Sequence, residues 1–176
     1  MNLSGGGRSS AFEAPAPRAL KSDEFAALYA EHRPSVYRVA LAMTGDRALA
    51  EDLAHEAFVR AWRALSGLRD PEAAGAYLRT TAVNLARRTL RRRALELRHH
   101  ISQVAHHEPD RDGKLAVVGA LQTLPPRQRA CVVMRYFEDL TEEQTAAALG
   151  VSIGTVKSQT HKALKRLQGI LGDLDG

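Results

Sequence analysis

The side chains able to do chemistry in this chain are cationic and hydrogen-bonding rather than nucleophilic, and they fall in two clusters. In the first, Asn84, Arg88 and Arg91 recur at steps of four and three, which places them on one flank of a helix with Arg87 beside them. From Arg79 to Arg98 there are seven arginines against one acid, Glu96, while Leu78, Ala82, Leu85, Ala86 and Leu90 recur at helical spacing. One face packs and the other is cationic. Mixed-sign surfaces suffice for solubility, whereas a single-sign stripe suits phosphate.

The second cluster spans residues 141 to 167, whose pattern is a short helix, a glycine turn and a second helix. Thr141 is placed to cap the first helix with Gln144 three residues on, and Ala146 is small enough for close helix approach. Gly150 can adopt the left-handed conformation that ends a helix, after which Ser152 caps the next. Ile153, Val156, Leu164 and Leu167 are expected to face inward with Leu149 and Val151. That leaves Thr155, Lys157, Ser158, Gln159, His161 and Lys162 for solvent or a DNA major groove. An ordinary amphipathic helical hairpin is the competing reading of this segment alone.

The elements that must position these groups are helical. Of 176 residues, 44% are hydrophobic but only 5% aromatic, enough for helical cores and poor in strand formers. A formal charge of +5 favours an anionic partner without separating DNA, RNA and membrane surface. One cysteine, Cys131, excludes an intramolecular disulfide and a multi-thiolate zinc site, and a reducing cytoplasm is expected. The cysteine lies among Ala130, Val132 and Val133 and reads as a small buried hydrophobe rather than a redox sensor. No apolar run reaches membrane-spanning length, and no signal-peptide stretch opens the chain.

Residues 1–21, rich in Gly, Ser, Ala and Pro, are expected to be a disordered tail. A first domain of three helices is expected over 22–98. Its first helix has Phe25, Leu28, Tyr29, Val36, Ala40 and Met43 on one face, is kinked or split at Pro34, and ends at Gly45. The second opens at Asp46, carries Leu49, Leu53, Ala57, Phe58, Ala61, Trp62 and Leu65 as apolar positions, and is acidic in its first half. The arginine helix follows Pro71. Residues 99–113 read as a linker. A second domain is expected over 114–171, with one helix from Lys114 to Leu124 and another from Arg127 to Phe137 whose core positions are Val132, Val133, Tyr136 and Phe137. Residues 172–176 are expected to fray.

Taken together, the chain resembles the extracytoplasmic-function group of bacterial RNA polymerase sigma factors over about residues 22 to 170. The resemblance rests on AEDLAHEAFVRAW (50–62), AYLRTTAVNLARRTLRRR, LPPRQRACVVMRYFEDLT and GVSIGTVKSQTHKALKRL, in that order and separated by a linker. It implies an all-α protein of two small domains that binds core RNA polymerase through its clamp helices and flap, directs it to promoter DNA and helps open that DNA. It further implies that Asp52, Glu56 and Arg60 dock on the polymerase, and that the loop Ser66, Gly67, Leu68, Arg69 and Asp70 cradles an unstacked base. Asn84 would read the minus-10 element while Arg87, Arg88, Arg91 and Arg92 hold phosphates, since an amide offers donor and acceptor together and guanidinium only donors. In the second domain Arg127 and Thr141 would clamp minus-35 phosphates, and Thr155, Lys157, Ser158, Gln159, His161, Lys162 and Arg166 are the recognition-helix candidates. Thr145, Ala148 and Gln159 stand where the family more often has isoleucine, isoleucine and arginine, and His55 where glutamine is common. Such proteins are commonly silenced by an anti-sigma partner, which these residues do not identify.

Three other readings compete. His99, His100, His106 and His107 raise a metal enzyme, but the segment has no carboxylate ligand at a fixed helical offset; no metal, cofactor or catalytic residue is expected. A polymerase-independent regulator would normally dimerise on a two-fold site and needs no acidic docking helix. An RNA- or membrane-surface role fits poorly with few aromatics and a helix-turn-helix.

Overall fold

The computed structural model describes residues 22–64, 71–99 and 113–172, and every element among them is helical. Helices α1 (Ser22–Thr44), α2 (Arg47–Ala64) and α3 (Pro71–His99) form one lobe. Helices α4 (Gly113–Gln122), α5 (Pro126–Val132), α6 (Glu142–Leu149) and α7 (Ile153–Gly172) form the other, with a π-helical turn (Val133–Phe137) continuing α5. The tail, Leu65, the loop 66–70 expected to cradle a base and nearly all of the expected linker lie outside the described residues.

The first lobe packs because alanines let its helices approach closely. Ala40, Ala50, Ala57, Ala61, Ala82 and Ala86 are fully buried, and Val36, Met43, Phe58, Leu78 and Val83 fill the space between them. Asp46 caps α2, its Oδ1 accepting from the Leu49 amide at 3.0 Å. Two points differ from expectation here: α1 is not split at Pro34, and Trp62 is not core. Helix α1 runs unbroken through Pro34; one lost backbone bond does not divide a helix held along its length by both α2 and α3. Trp62 is not core but 39% exposed, resting edge-on against Phe25 at 4.7 Å between centroids.

In the second lobe, Val132 and Val133 are buried as expected, together with Leu124, Cys131, Met134, Val156 and Ala163. Tyr136 and Phe137, expected in the core, are 56% and 44% exposed. The cause is the π turn. It spreads an extra residue into the turn and moves these rings out of the α-helical register. Asp139 then takes a positive φ of 50°, and the chain closes with the Leu140 amide bonding the Met134 carbonyl at 3.1 Å.

The lobes do not sit apart. Their buried residues make one contiguous core, and polar side chains complete the seam. Helix α1 ends at Gly45 (φ +68°), whose amide satisfies the Leu41 carbonyl at 2.8 Å. The next two carbonyls are satisfied from the other lobe: Gln122 Nε2 donates to Ala42 at 3.1 Å, and Arg129 Nη1 donates to Met43. Arg129 is 5% exposed and also donates through Nη2 to the Gln122 and Leu124 carbonyls, each at 3.0 Å. Burial lowers its guanidinium to about 10, so it remains a cation at neutral pH, at the negative end of the α1 dipole.

A glycine pair tests this account of the seam. A Cβ at Gly45 would need a left-handed backbone and would lie 2.7 Å from Gln122 Cδ, whereas one at Gly169 in α7 meets nothing within 4 Å. Gly45→Ala is expected to lower unfolding free energy by about 1–2 kcal/mol. Gly169→Ala should raise it by roughly 0.5–1 kcal/mol. Urea titrations followed by circular dichroism check both.

Candidate nucleic-acid interface

The arginine helix presents Asn84, Arg87, Arg88 and Arg91 to a groove of about 880 Å³ whose opposite wall is Pro125 to Arg127, the end of α6 from Ala147 to Gly150, and Gln159 of α7. The expected sharing of one flank by Asn84, Arg88 and Arg91 is thus met, and Arg127 and Gln159 join them across the seam. No acid lines this groove among the described residues. Arg88, Arg91 and Arg127 are exposed, while Asn84 and Arg87 are half-buried. Burial lowers the Arg87 guanidinium from its ordinary value, and like charge on Arg127 adds to the effect.

Asn84 and Arg87 are both engaged in hydrogen bonds within the chain. Asn84 Nδ2 donates to the Ala148 carbonyl at 3.0 Å, and Arg87 Nη1 donates to Leu149 at 3.0 Å and to Asn84 Oδ1 at 3.1 Å. Residues from both sequence clusters thus line one groove across the seam between the lobes. Farther along α3, Arg92 pairs with Glu96 at 3.5 Å and Arg93 lies 3.9 Å from Asp46. Leu68, Arg69 and Asp70 fall outside the described residues.

The helix-turn-helix forms as its capping residues require. Thr141 Oγ1 accepts from the Gln144 amide at 3.1 Å, and Gln144 Oε1 accepts from the Thr141 amide at 2.8 Å, completing a capping box. Gly150 takes φ 64°, and the Gly150 and Val151 amides satisfy Ala147 and Ala146. Ser152 Oγ then accepts from the Thr155 amide at 3.1 Å, opening α7. Lys157, Ser158, His161, Lys162 and Arg166 are exposed on α7, and Thr155 and Gln159 are half-buried. Lys157 is 3.4 Å from Glu142 on α6. Ile153, expected inside, is 40% exposed, and Ala163 takes an inner position instead.

On α2, Glu56 and Arg60 pair with each other, Nε to Oε1 at 2.7 Å, as a solvated amphipathic helix face would also do. Asp52 lies beside them in a small cleft with Tyr29, Arg33, Tyr37, His55 and Phe58. Sequence reasoning found the charged stripe but not the tyrosines, which come from α1 and carry no motif of their own. Among the described residues, no three His, Cys, Asp or Glu side chains are placed to hold a metal ion, and no helix is long and apolar enough to cross a membrane.

A helical protein with a helix-turn-helix, a second arginine-lined helix and a separate charged stripe is, as a class, a nucleic-acid-binding adaptor. Comparison with known proteins narrows this. The family descriptions "Sigma-70 region 2" and "Sigma-70, region 4" match residues 28–96 and 114–167. The RNA polymerase sigma-E factor of Streptomyces avermitilis is 34% identical over 156 residues, covering 86% of this chain and 87% of that protein. The extracytoplasmic-function sigma factor SigL of Mycobacterium tuberculosis is 34% identical over 157 residues, covering 84% and 89%. Among solved structures, the sigma factor RpoE in complex with the anti-sigma factor NepR from Bartonella quintana superposes with a TM-score of 0.67 at 27% identity, covering 85% of this chain and 98% of that one. CnrH in complex with the cytosolic domain of CnrY gives 0.63 at 25%, covering 89% and 92%. The chain belongs to the extracytoplasmic-function sigma factors of the sigma-70 family, the promoter-specific initiation factors of bacterial RNA polymerase.

Thr145 is fully buried and its hydroxyl has no hydrogen-bond partner. Thr145→Val keeps the shape and removes the orphaned group, so stability should rise by about 1 kcal/mol. A fall in thermal midpoint would contradict this account of the helix-turn-helix core.

Proposed function

We propose that this sigma factor divides its work as its surfaces are divided. The α2 stripe of Asp52, Glu56 and Arg60 docks on polymerase clamp helices, where its charges set orientation and on-rate more than affinity. Asn84 reads a minus-10 base with Arg87, Arg88, Arg91 and Arg92 on the phosphates, and the loop at Leu68, Arg69 and Asp70 cradles the extruded neighbour. Unstacking a base costs a few kcal/mol, which cationic capture of the strand offsets. Helix α7 enters the minus-35 major groove with Thr155, Lys157, Ser158, Gln159, His161, Lys162 and Arg166, flanked by phosphate contacts from Arg127 and Thr141. The chain brings no catalytic residue of its own and works in the cytoplasm with its polymerase.

The observation that carries this reading is the convergence of an amide and three arginines of α3, with Arg127 of α5, on one groove that no acid lines among the described residues, in a chain that also holds a capped helix-turn-helix. Thr141 is already used in its capping box, so its phosphate contact falls to its exposed edge.

Run-off transcription from genomic fragments with core polymerase should require this chain, and the absence of any transcript would defeat the proposal. Within that assay Asn84→Ala is expected to cost about 1–3 kcal/mol of discrimination at one minus-10 position. Arg91→Ala should instead weaken all promoters alike and reduce the slope of log affinity against log salt by about one.

A further inference from the structure

We propose that Gly154 is a positioning residue of the minus-35 helix: by carrying no side chain it lets the first turns of α7 sit close enough to DNA for the short hydroxyl of Ser158 to touch a base. This rests on the reading of α7 given above. A glycine inside a helix costs stability relative to alanine, so it calls for a reason. Two usual reasons are absent at Gly154. Its φ is not positive, unlike those of Gly45 and Gly150, and a Cβ there would meet only Ser152 Oγ, at 4.0 Å. Neither the backbone nor the packing of the described residues requires a glycine here.

Its place on α7 supplies the reason. At 3.6 residues per turn, Gly154, Ser158, His161 and Lys165 fall on one stripe, and all four are exposed. Val156 and Ala163 lie on the opposite side and are fully buried. On one border of the stripe Lys157 reaches Glu142 of α6 at 3.4 Å, and on the other Gln159 lines the arginine groove, so the stripe between them is the part of α7 turned outward. The first turns of a recognition helix are the ones that meet base edges. An α-helix with its side chains is about 10–12 Å across and the major groove about 12 Å wide, so one methyl on the inserted edge changes how deep it goes. Lysine and arginine can reach phosphates from a distance, whereas a serine reaches a base only if the helix itself is close. Side chains on a helix lean toward its N-terminus, which carries Ser158 over the turn that Gly154 leaves bare.

Ser158 also has a defined polarity. Its Oγ donates to the Thr155 carbonyl at 3.1 Å, and a hydroxyl has one proton, so it offers lone pairs outward. In the major groove the base donors are the amino groups of cytosine and adenine. Ser158 therefore selects a base with an exocyclic amino group at one minus-35 position. Guanine O6 or thymine O4 there would face it acceptor to acceptor.

The test uses polymerase holoenzyme assembled with the full chain, on a promoter fragment recovered by run-off transcription and its single-base minus-35 variants. Gly154→Ala and Gly169→Ala should both raise the urea midpoint, but only Gly154→Ala should weaken promoter binding, by about tenfold. Ser158→Ala should abolish the preference for an amino-bearing base at one position. Added to Gly154→Ala it should cost nothing further, because the hydroxyl has already been lifted off its base. Gly154→Ala with parental affinity would overturn the close approach, and so would a double variant weakened by the full product of the two single effects. Ser158→Ala that keeps every base preference would overturn the assigned contact. A parent holoenzyme indifferent to all minus-35 substitutions would remove the reading of α7 and the proposal with it, whereas dependence on minus-35 with an inert Gly154→Ala removes the proposal alone.

Discussion

The structure depends on unsatisfied carbonyls at helix ends. A buried carbonyl without a donor costs about as much as a lost hydrogen bond, so every helix that ends inside the protein must find one. Glycine turns supply part of the answer at α1 and α6, and the rest comes from side chains on the opposite lobe: Gln122 and Arg129 for the first, Asn84 and Arg87 for the second. Because these donors sit on rigid helices, satisfying them orients one lobe on the other. The apolar residues at the seam then fill the remaining space as a single core.

Electrostatics at the seam gives register more readily than stability. Burial lowers the guanidinium of Arg129 and pushes the Glu138 carboxyl up even with Arg79 beside it, so desolvation outweighs attraction at Glu138. Such pairs contribute little net free energy, yet they penalise any docking that leaves one partner alone. Cys131 belongs to the same buried layer. Burial pushes its thiol up, away from the thiolate form that redox chemistry needs, in keeping with a packing role.

A sigma factor must hold both promoter DNA and polymerase, and the two surfaces proposed for them here are built from different residues. The tyrosine-lined cleft beside Asp52 and the arginine groove share no lining residue. The exposed rings of Tyr136 and Phe137 follow from the π turn, a local insertion paid for in core packing.

From the amino-acid order alone came the α-helical class, the Gly45 and Gly150 ends, the capping box of Thr141 and Gln144, and the shared flank of Asn84, Arg88 and Arg91. These are local: they depend on spacing within a turn or two and on the conformations a residue type permits. The family, too, was legible in the ordered motifs. What the sequence did not disclose is non-local. Nothing in the spacing of Asn84 and Arg87 names Ala148 and Leu149, some sixty residues on, as their partners. The unbroken passage of α1 through Pro34, the π turn that turned Tyr136 and Phe137 outward, and the union of two cationic surfaces in one groove were likewise settled only by packing. Tertiary contacts decide them because each is a competition among donors, carbonyls and apolar surface that exists only once distant segments meet.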